Sequence, residues 1–262
     1  MLLTLASAKG APGVTTLGRV LAAVWPAPSV LVDADPAGGD LASVATDERG
    51  EPLDPDRGLI SLAVEARRGA LQGLPPHVQR IVGGQDVICG LQTPEQLVGL
   101  GPAWPTIAAV LARSPEPVIA DAGRLVPGSP SIPIVQASDV LLLVTRPGVA
   151  GYAHLVTRLR WLVGLSSTMD RGPTIGVVVV APPRERHAQR DLAALLQHSG
   201  LRMPVVGAVA YDEDAARVID GTVSRGIAGS LLVRSARALV APTMSLATAG
   251  VPGPFGVGGG RR

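Results

Sequence analysis

The chain has 262 residues, 47% of them hydrophobic but only 2% aromatic, with a formal net charge of +2. That length suits one large α/β domain or two small ones, and so small a net charge gives no ground by itself for a nucleic-acid partner. A lone cysteine, Cys89, excludes an intramolecular disulfide and suits a reducing cytoplasm.

No apolar run approaches the roughly 18 residues of a membrane span. The start, MLLTLASAKG, lacks the basic n-region of a signal peptide. The expectation is a soluble cytoplasmic protein. Its cations are 22 arginines and one lysine, Lys9, and asparagine is absent. Read as a drift toward GC-rich codons, this bias erodes lysines wherever arginine serves equally, so a lysine kept inside a glycine loop draws notice.

In chain order, the first element is a buried strand, LLTLAS from Leu2, followed by the glycine loop AKGAPGVT and an amphipathic helix, TTLGRVLAAVW. A second strand, SVLVDAD from Ser29, ends on Asp33 and Asp35. The polar, proline-rich stretch from Thr46 to Arg57 reads as an exposed loop. The helical segment GLISLAVEARRG precedes the strand QDVICGL from Gln85, and TPEQLVGLGPAWPTIAAVLARS follows it as a further helical stretch. The strands PVIADAG from Pro117 and DVLLLVT from Asp139 come next, then the helix AGYAHLVTRLRWLVGLSS. The strand TIGVVVVA from Thr174, the helix ERHAQRDLAALLQHSG and the strand VVGAVAYD from Val205 complete the series.

Several of these strands are apolar on both faces, as strands covered by helices on each side must be. Strand–helix alternation predicts a doubly wound α/β fold: a mostly parallel sheet of about seven strands with helices on both faces. It spans 1–240 as a single domain. Residues 241–262 are Gly/Pro-rich and predict a disordered tail.

The loop matches G-x-x-x-x-G-K-[ST] only in part. Gly13 and Thr15 fit, Ala8 replaces the first glycine, and Val14 stands where the lysine belongs. The context of strand before and helix after is the one a phosphate-binding loop requires, because backbone N–H groups and the helix dipole must converge on the anion. An ordinary glycine turn fits the same residues. Other chemistries have little support: His77, His154, His187 and His198 show no metal spacing, G-x-S-x-G is absent, and AKGAPG misses G-x-G-x-x-G.

KGAPGVTT resembles the deviant P-loop of the MinD/ParA ATPases, usually K-G-G-x-G-K-T-T. VLVDADPAGGDL from Val30 is similar to that family's switch segment, PVIADAGRL from Pro117 to its Walker B strand, and GAVAYDEDAARVIDG from Gly207 to its late strand and loop. The four elements stand in the family's order, and the resemblance implies that 1–240 is a single P-loop NTPase-like domain. The resemblance implies a nucleotide-dependent homodimer that binds ATP with Mg²⁺ and positions a protein cargo or regulator, at a chromosome or plasmid, a division site, or a pilus or secretion machine. Lys9, Gly10, Ala11, Gly13, Val14, Thr15 and Thr16 would hold the nucleotide, and Thr15, Asp33 and Asp121 the metal. Asp35 would orient the attacking water, and Lys9 would reach the partner's phosphates across the dimer.

Departures from the pattern point toward slow or absent turnover. Val14 brings no charge, Pro12 removes a backbone N–H, Ala37 replaces the switch glutamine, and no asparagine is available to read adenine. Arg124 is one candidate for the missing cation. The opposing reading is a catalytically dead scaffold that binds proteins without nucleotide turnover. Toward the C-terminus Arg217, Arg225, Arg234, Arg237, Arg261 and Arg262 outnumber one acid, Asp220, which raises nonspecific DNA as a further partner.

Overall fold

All seven apolar runs become strands of one sheet, joined by an eighth strand that the sequence pattern does not announce. In the computed structural model, which describes residues 1–10, 12–166, 172–221 and 226–249, the strands are β1 (Leu2–Ser7), β2 (Val30–Asp33), β3 (Gln79–Arg80), β4 (Asp86–Ile88), β5 (Val118–Arg124), β6 (Val140–Thr145), β7 (Thr174–Ala181) and β8 (Val205–Ala210). Their spatial order is β3-β4-β2-β5-β1-β6-β7-β8. Every pairing is parallel except that of β3 with β4.

The helices are α1 (Val14–Val24), α2 (Leu41–Val44), α3 (Leu59–Arg67), α4 (Leu97–Leu100), α5 (Trp104–Ala112), α6 (Ile132–Ala137), α7 (Val149–Ser166), α8 (Ala188–His198), α9 (Glu213–Ile219) and α10 (Leu231–Thr248). Alternate strand residues feed opposite layers, as the two-residue period of a strand dictates. Leu3, Leu5, Leu31 and Val178 pack with α1, α2, α9 and α10. Leu2, Val32 and Ala120 face α3 to α6, while Ala6, Leu141 and Val179 meet α6 to α8. This is a doubly wound α/β fold, with its ligand-binding edge expected at the carboxyl ends of the strands. Cys89 is buried beside β4, and burial pushes its thiol up to about 12.

Three segments depart from expectation. The stretch from Thr93 to Ser114 is not one helix: α4 stops at Gly101, whose φ is 36°, and a 3-10 turn, Gly101–Ala103, with Pro102 inside it, separates α4 from α5. Proline cannot donate the helical bond and restricts the residue before it. VVGAVAYDEDAARVIDG turns from β8 into α9, which Asp212 caps by accepting from the Ala215 N–H at 3.1 Å.

The boundary at Ala241 also moves. Helix α10 continues through Pro242 to Thr248, with Val240 and Thr243 buried and Leu246 packed against the core. That apolar spacing of three is a helix face, which the Gly/Pro composition of the following residues concealed. The rest of the expected tail, 250–262, lies outside the described residues.

On the layer away from α1, His77 is buried between Ser61 Oγ (2.7 Å from Nδ1) and Glu65 Oε2 (3.1 Å from Nε2). This chain fastens the 3-10 turn at Pro75–His77 to α3. His77→Ala is expected to lower stability by about 2 kcal/mol, from one lost charge-assisted bond and a small cavity. Urea denaturation checks this, and the fold itself should survive.

Candidate functional site

Between β1 and α1 the backbone of the glycine loop turns through two left-handed residues, Gly10 (φ 73°) and Gly13 (φ 98°). Gly13 is the N-cap of α1. No side chain caps the helix there, and no acid lies in its first turn. The uncapped N–H groups and the positive end of the helix dipole therefore open into free space. That space is a cleft of about 870 Å³, bordered by Gly10, Gly13, Thr15, Thr16, Asp35 and Gly123 among others.

The expected site residues divide between the cleft and its floor. Gly10, Gly13, Val14, Thr15, Thr16 and Asp35 line the cleft. Val14 is 94% buried by its neighbours, at 6% exposure, and belongs to the apolar core with Leu17 and Leu21. Lys9 is exposed at the loop's far end and does not line the cleft. Ala11 lies outside the described residues.

Asp33 and Asp121 sit beneath the floor. They are register partners on β2 and β5, and both are buried. Burial pushes Asp33 up to about 7, with the neighbouring Asp121 charge adding to the shift; the backbone N–H groups of Asp35 and Leu41 pull it down. Burial likewise pushes Asp121 up to about 6, opposed by the Thr15 hydroxyl and by the Gly123 N–H, which donates to Oδ1 at 2.8 Å. Asp33 Oδ2 is buried without a hydrogen-bond partner.

Asp35 lies just past the end of β2, where it accepts from the Ala37 N–H at 2.8 Å. Burial raises its pKa, and the Ala37 bond opposes the shift. Gly123 (φ 58°) runs directly against this carboxylate, and a Cβ there would overlap it.

Do these residues fit a nucleotide and its metal? Among the described residues no group of three or more His, Cys, Asp or Glu could hold a metal ion unaided. Mg²⁺ needs only one or two protein oxygens when phosphates supply the rest. The Thr15 hydroxyl against Asp121, below an uncapped helix start, is a donor set of that kind. Asp33 is closed off by Gly39 and Gly90 and does not line the cleft.

Residues the motif reading passed over also border the cleft: Arg19, Asp40, Arg146, Tyr211 and Asp220. The Arg146 guanidinium stacks on the Tyr211 ring at 4.6 Å from its centroid. For three of them a signal existed. Arg19 is four residues after Thr15 on one helix, and Arg146 and Tyr211 directly follow β6 and β8 at the ligand-binding edge. Of the C-terminal arginines, Arg217 lines the cleft, Arg234 and Arg237 are exposed on α10, and Arg225, Arg261 and Arg262 lie outside the described residues.

No family model and no curated protein matches the sequence. Solved structures do. A ParA family ATPase from Chlorobium tepidum TLS superposes with a TM-score of 0.70 at 19% identity, over 92% of this chain and 97% of that one. The cell division ATPase MinD of Pyrococcus furiosus gives 0.72 at 16% identity, over 94% and 98%. The septum site-determining protein MinD of Pyrococcus horikoshii OT3, complexed with Mg-ADP, gives 0.66 at 14% identity, over 91% and 93%. These superpositions give the chain a MinD/ParA-type P-loop fold, with Val14 at the position where the resemblance expects the loop's lysine.

Proposed function

We propose that the protein is a nucleotide-dependent switch of the MinD/ParA kind, binding ATP with Mg²⁺ and pairing with a second copy to position a cargo protein. The observation that carries this reading is the uncapped start of α1 behind Gly10 and Gly13, opening into a cleft that also holds Thr15 and Asp35. Such a start attracts phosphate because its N–H groups lack partners and its dipole is positive. The solved relative holding Mg-ADP supports the choice of ligand.

In this reading the backbone N–H groups of Gly10 and of Gly13 to Thr16 would bind the phosphates, and Thr15 with Asp121 would hold the metal. When bound, Mg²⁺ would neutralise phosphate charge. Asp35, half-buried and fixed by Ala37, orients water at the cleft mouth. Lys9, exposed beside the loop, is free to extend toward a partner's phosphates. Turnover is slow because Val14 lies in the core and brings no charge. Among the described residues no helix is long and apolar enough to cross a membrane.

The buried Val14 also favours a second reading, a scaffold that binds partners without turning nucleotide over. One titration separates the two. Calorimetry with ATP and Mg²⁺, paired with light scattering after gel filtration, should give micromolar binding and a dimer for the wild type. Lys9→Ala should bind ATP yet remain monomeric, since its contact is made across the dimer. Absence of binding at millimolar ATP overturns the switch and leaves the scaffold.

A further inference from the structure

Among the described cations around the cleft, Arg19 alone is both drawn out of water and carried by the phosphate-loop helix. Its side chain is 15% exposed. It lies three and four residues after Thr16 and Thr15, on the same stripe of α1. Helical side chains lean toward the N-terminus, so this stripe directs the guanidinium back toward the glycine loop. Arg19 lines the cleft together with Gly13, Thr15, Thr16, Asp35 and Asp40.

Its compensation is incomplete. The ion pair with Asp220, just past α9, spans 4.0 Å, and Asp220 is itself 56% exposed. Burial holds the guanidinium below its ordinary range, with Asp220 and, more weakly, Asp33 opposing the shift. A charge largely removed from water with only a loose counter-ion is a prepared receptor for an anion, since folding has already met much of the desolvation cost.

The other cations are placed differently. Arg124 is exposed, and its charge bears on the like-charged Arg158. Arg146 is exposed and stacked on Tyr211. Arg217 is exposed on α9, and Lys9 is exposed outside the cleft lining. Resting on the nucleotide reading above, we infer that Arg19 supplies from inside α1 the positive charge toward bound phosphate that Val14 cannot, exchanging Asp220 for the polyphosphate when nucleotide enters.

The test measures binding of ADP and of adenosine, each with Mg²⁺, by calorimetry on the full chain, so no turnover is needed. Arg19→Ala should weaken ADP about tenfold or more, the scale of a charge-assisted hydrogen bond, and leave adenosine unchanged. Val14→Lys should restore ADP affinity to the Arg19→Ala chain by returning a cation to the loop. Asp220→Ala, which releases the guanidinium, should tighten ADP severalfold, and this result stands even if Val14→Lys disturbs the core. An Arg19→Ala chain that binds ADP as the wild type does, or that loses ADP and adenosine equally, reduces Arg19 to a bolt between α1 and α9. A wild type that binds neither nucleotide nor nucleoside overturns the nucleotide reading and this one together; wild-type binding without an Arg19 effect overturns this one alone.

Discussion

Asp33→Asn is expected to stabilise the protein at pH 8 and to flatten the dependence of its stability on pH. The carboxylate is buried at the end of β2, opposite Asp121, and its Oδ2 has no hydrogen-bond partner. Burial raises its pKa from 3.8 in the unfolded chain to about 7 in the fold. The folded state therefore holds a proton that the unfolded state releases. Its contribution is fully present below about pH 4 and is lost as pH rises through about 7.

At pH 8 the wild type carries a buried, poorly compensated charge. Asparagine has the same shape, keeps an acceptor for the N–H groups of Asp35 and Leu41, and carries no charge. At roughly 1.4 kcal/mol per pKa unit, the gain is on the order of 2–4 kcal/mol at pH 8 and small at pH 4. Urea denaturation of both chains at the two pH values measures it. Asp121, raised to about 6 for the same reason, leaves the variant a residual slope of the same sign. A wild type no less stable at pH 8 than at pH 5 would mean that the carboxylate pair is compensated after all.

Gly39→Ala should cost about 3 kcal/mol, and most of that cost should vanish when Asp33 is also alanine. Gly39 passes so close to Asp33 that a Cβ there would overlap the carboxylate, and Gly90 closes the opposite side, its hypothetical Cβ 2.7 Å from Asp33 Cγ. The side chain has nowhere to swing, so the methyl group forces the backbone apart. Overpacking of this kind costs on the order of 1–3 kcal/mol, and disturbing the Gly39 N–H bond to the Leu91 carbonyl (2.6 Å) adds to it. Removing the Asp33 carboxylate makes room for the methyl. A double-mutant cycle should thus show strong coupling. Additive costs would place the strain in the Gly39 backbone instead.

Much of the fold could be read from the chain before folding. Strands such as LLTLAS and DVLLLVT are apolar on both faces, and only a sheet covered twice buries them. Their alternation with helical segments sets the doubly wound topology. β3 could not be read, because Gln79–Arg80 is two polar residues long and exists only by pairing with β4 at the sheet's edge. Helix α10 crosses Pro242 because Val240, Thr243 and Leu246 find the core, an outcome that composition does not reveal.

The site shows the same division. Glycine spacing determined the loop, because φ values of 73° and 98° are open to glycine and strained for other residues, and the apolar strand ends determined where Asp33, Asp35 and Asp121 would lie along the chain. Which of these carboxylates meets solvent was a tertiary decision. Asp35 lines the cleft while Asp33 lies under Gly39 and Gly90, since the approach of β4 and the loop after β2 controls access. The same holds for Arg19, Arg146 and Tyr211, whose residue types say nothing of their surroundings. Local sequence sets backbone conformation and the periodicity of burial. The field around a charge depends on residues far away in the chain, and only their packing brings them together.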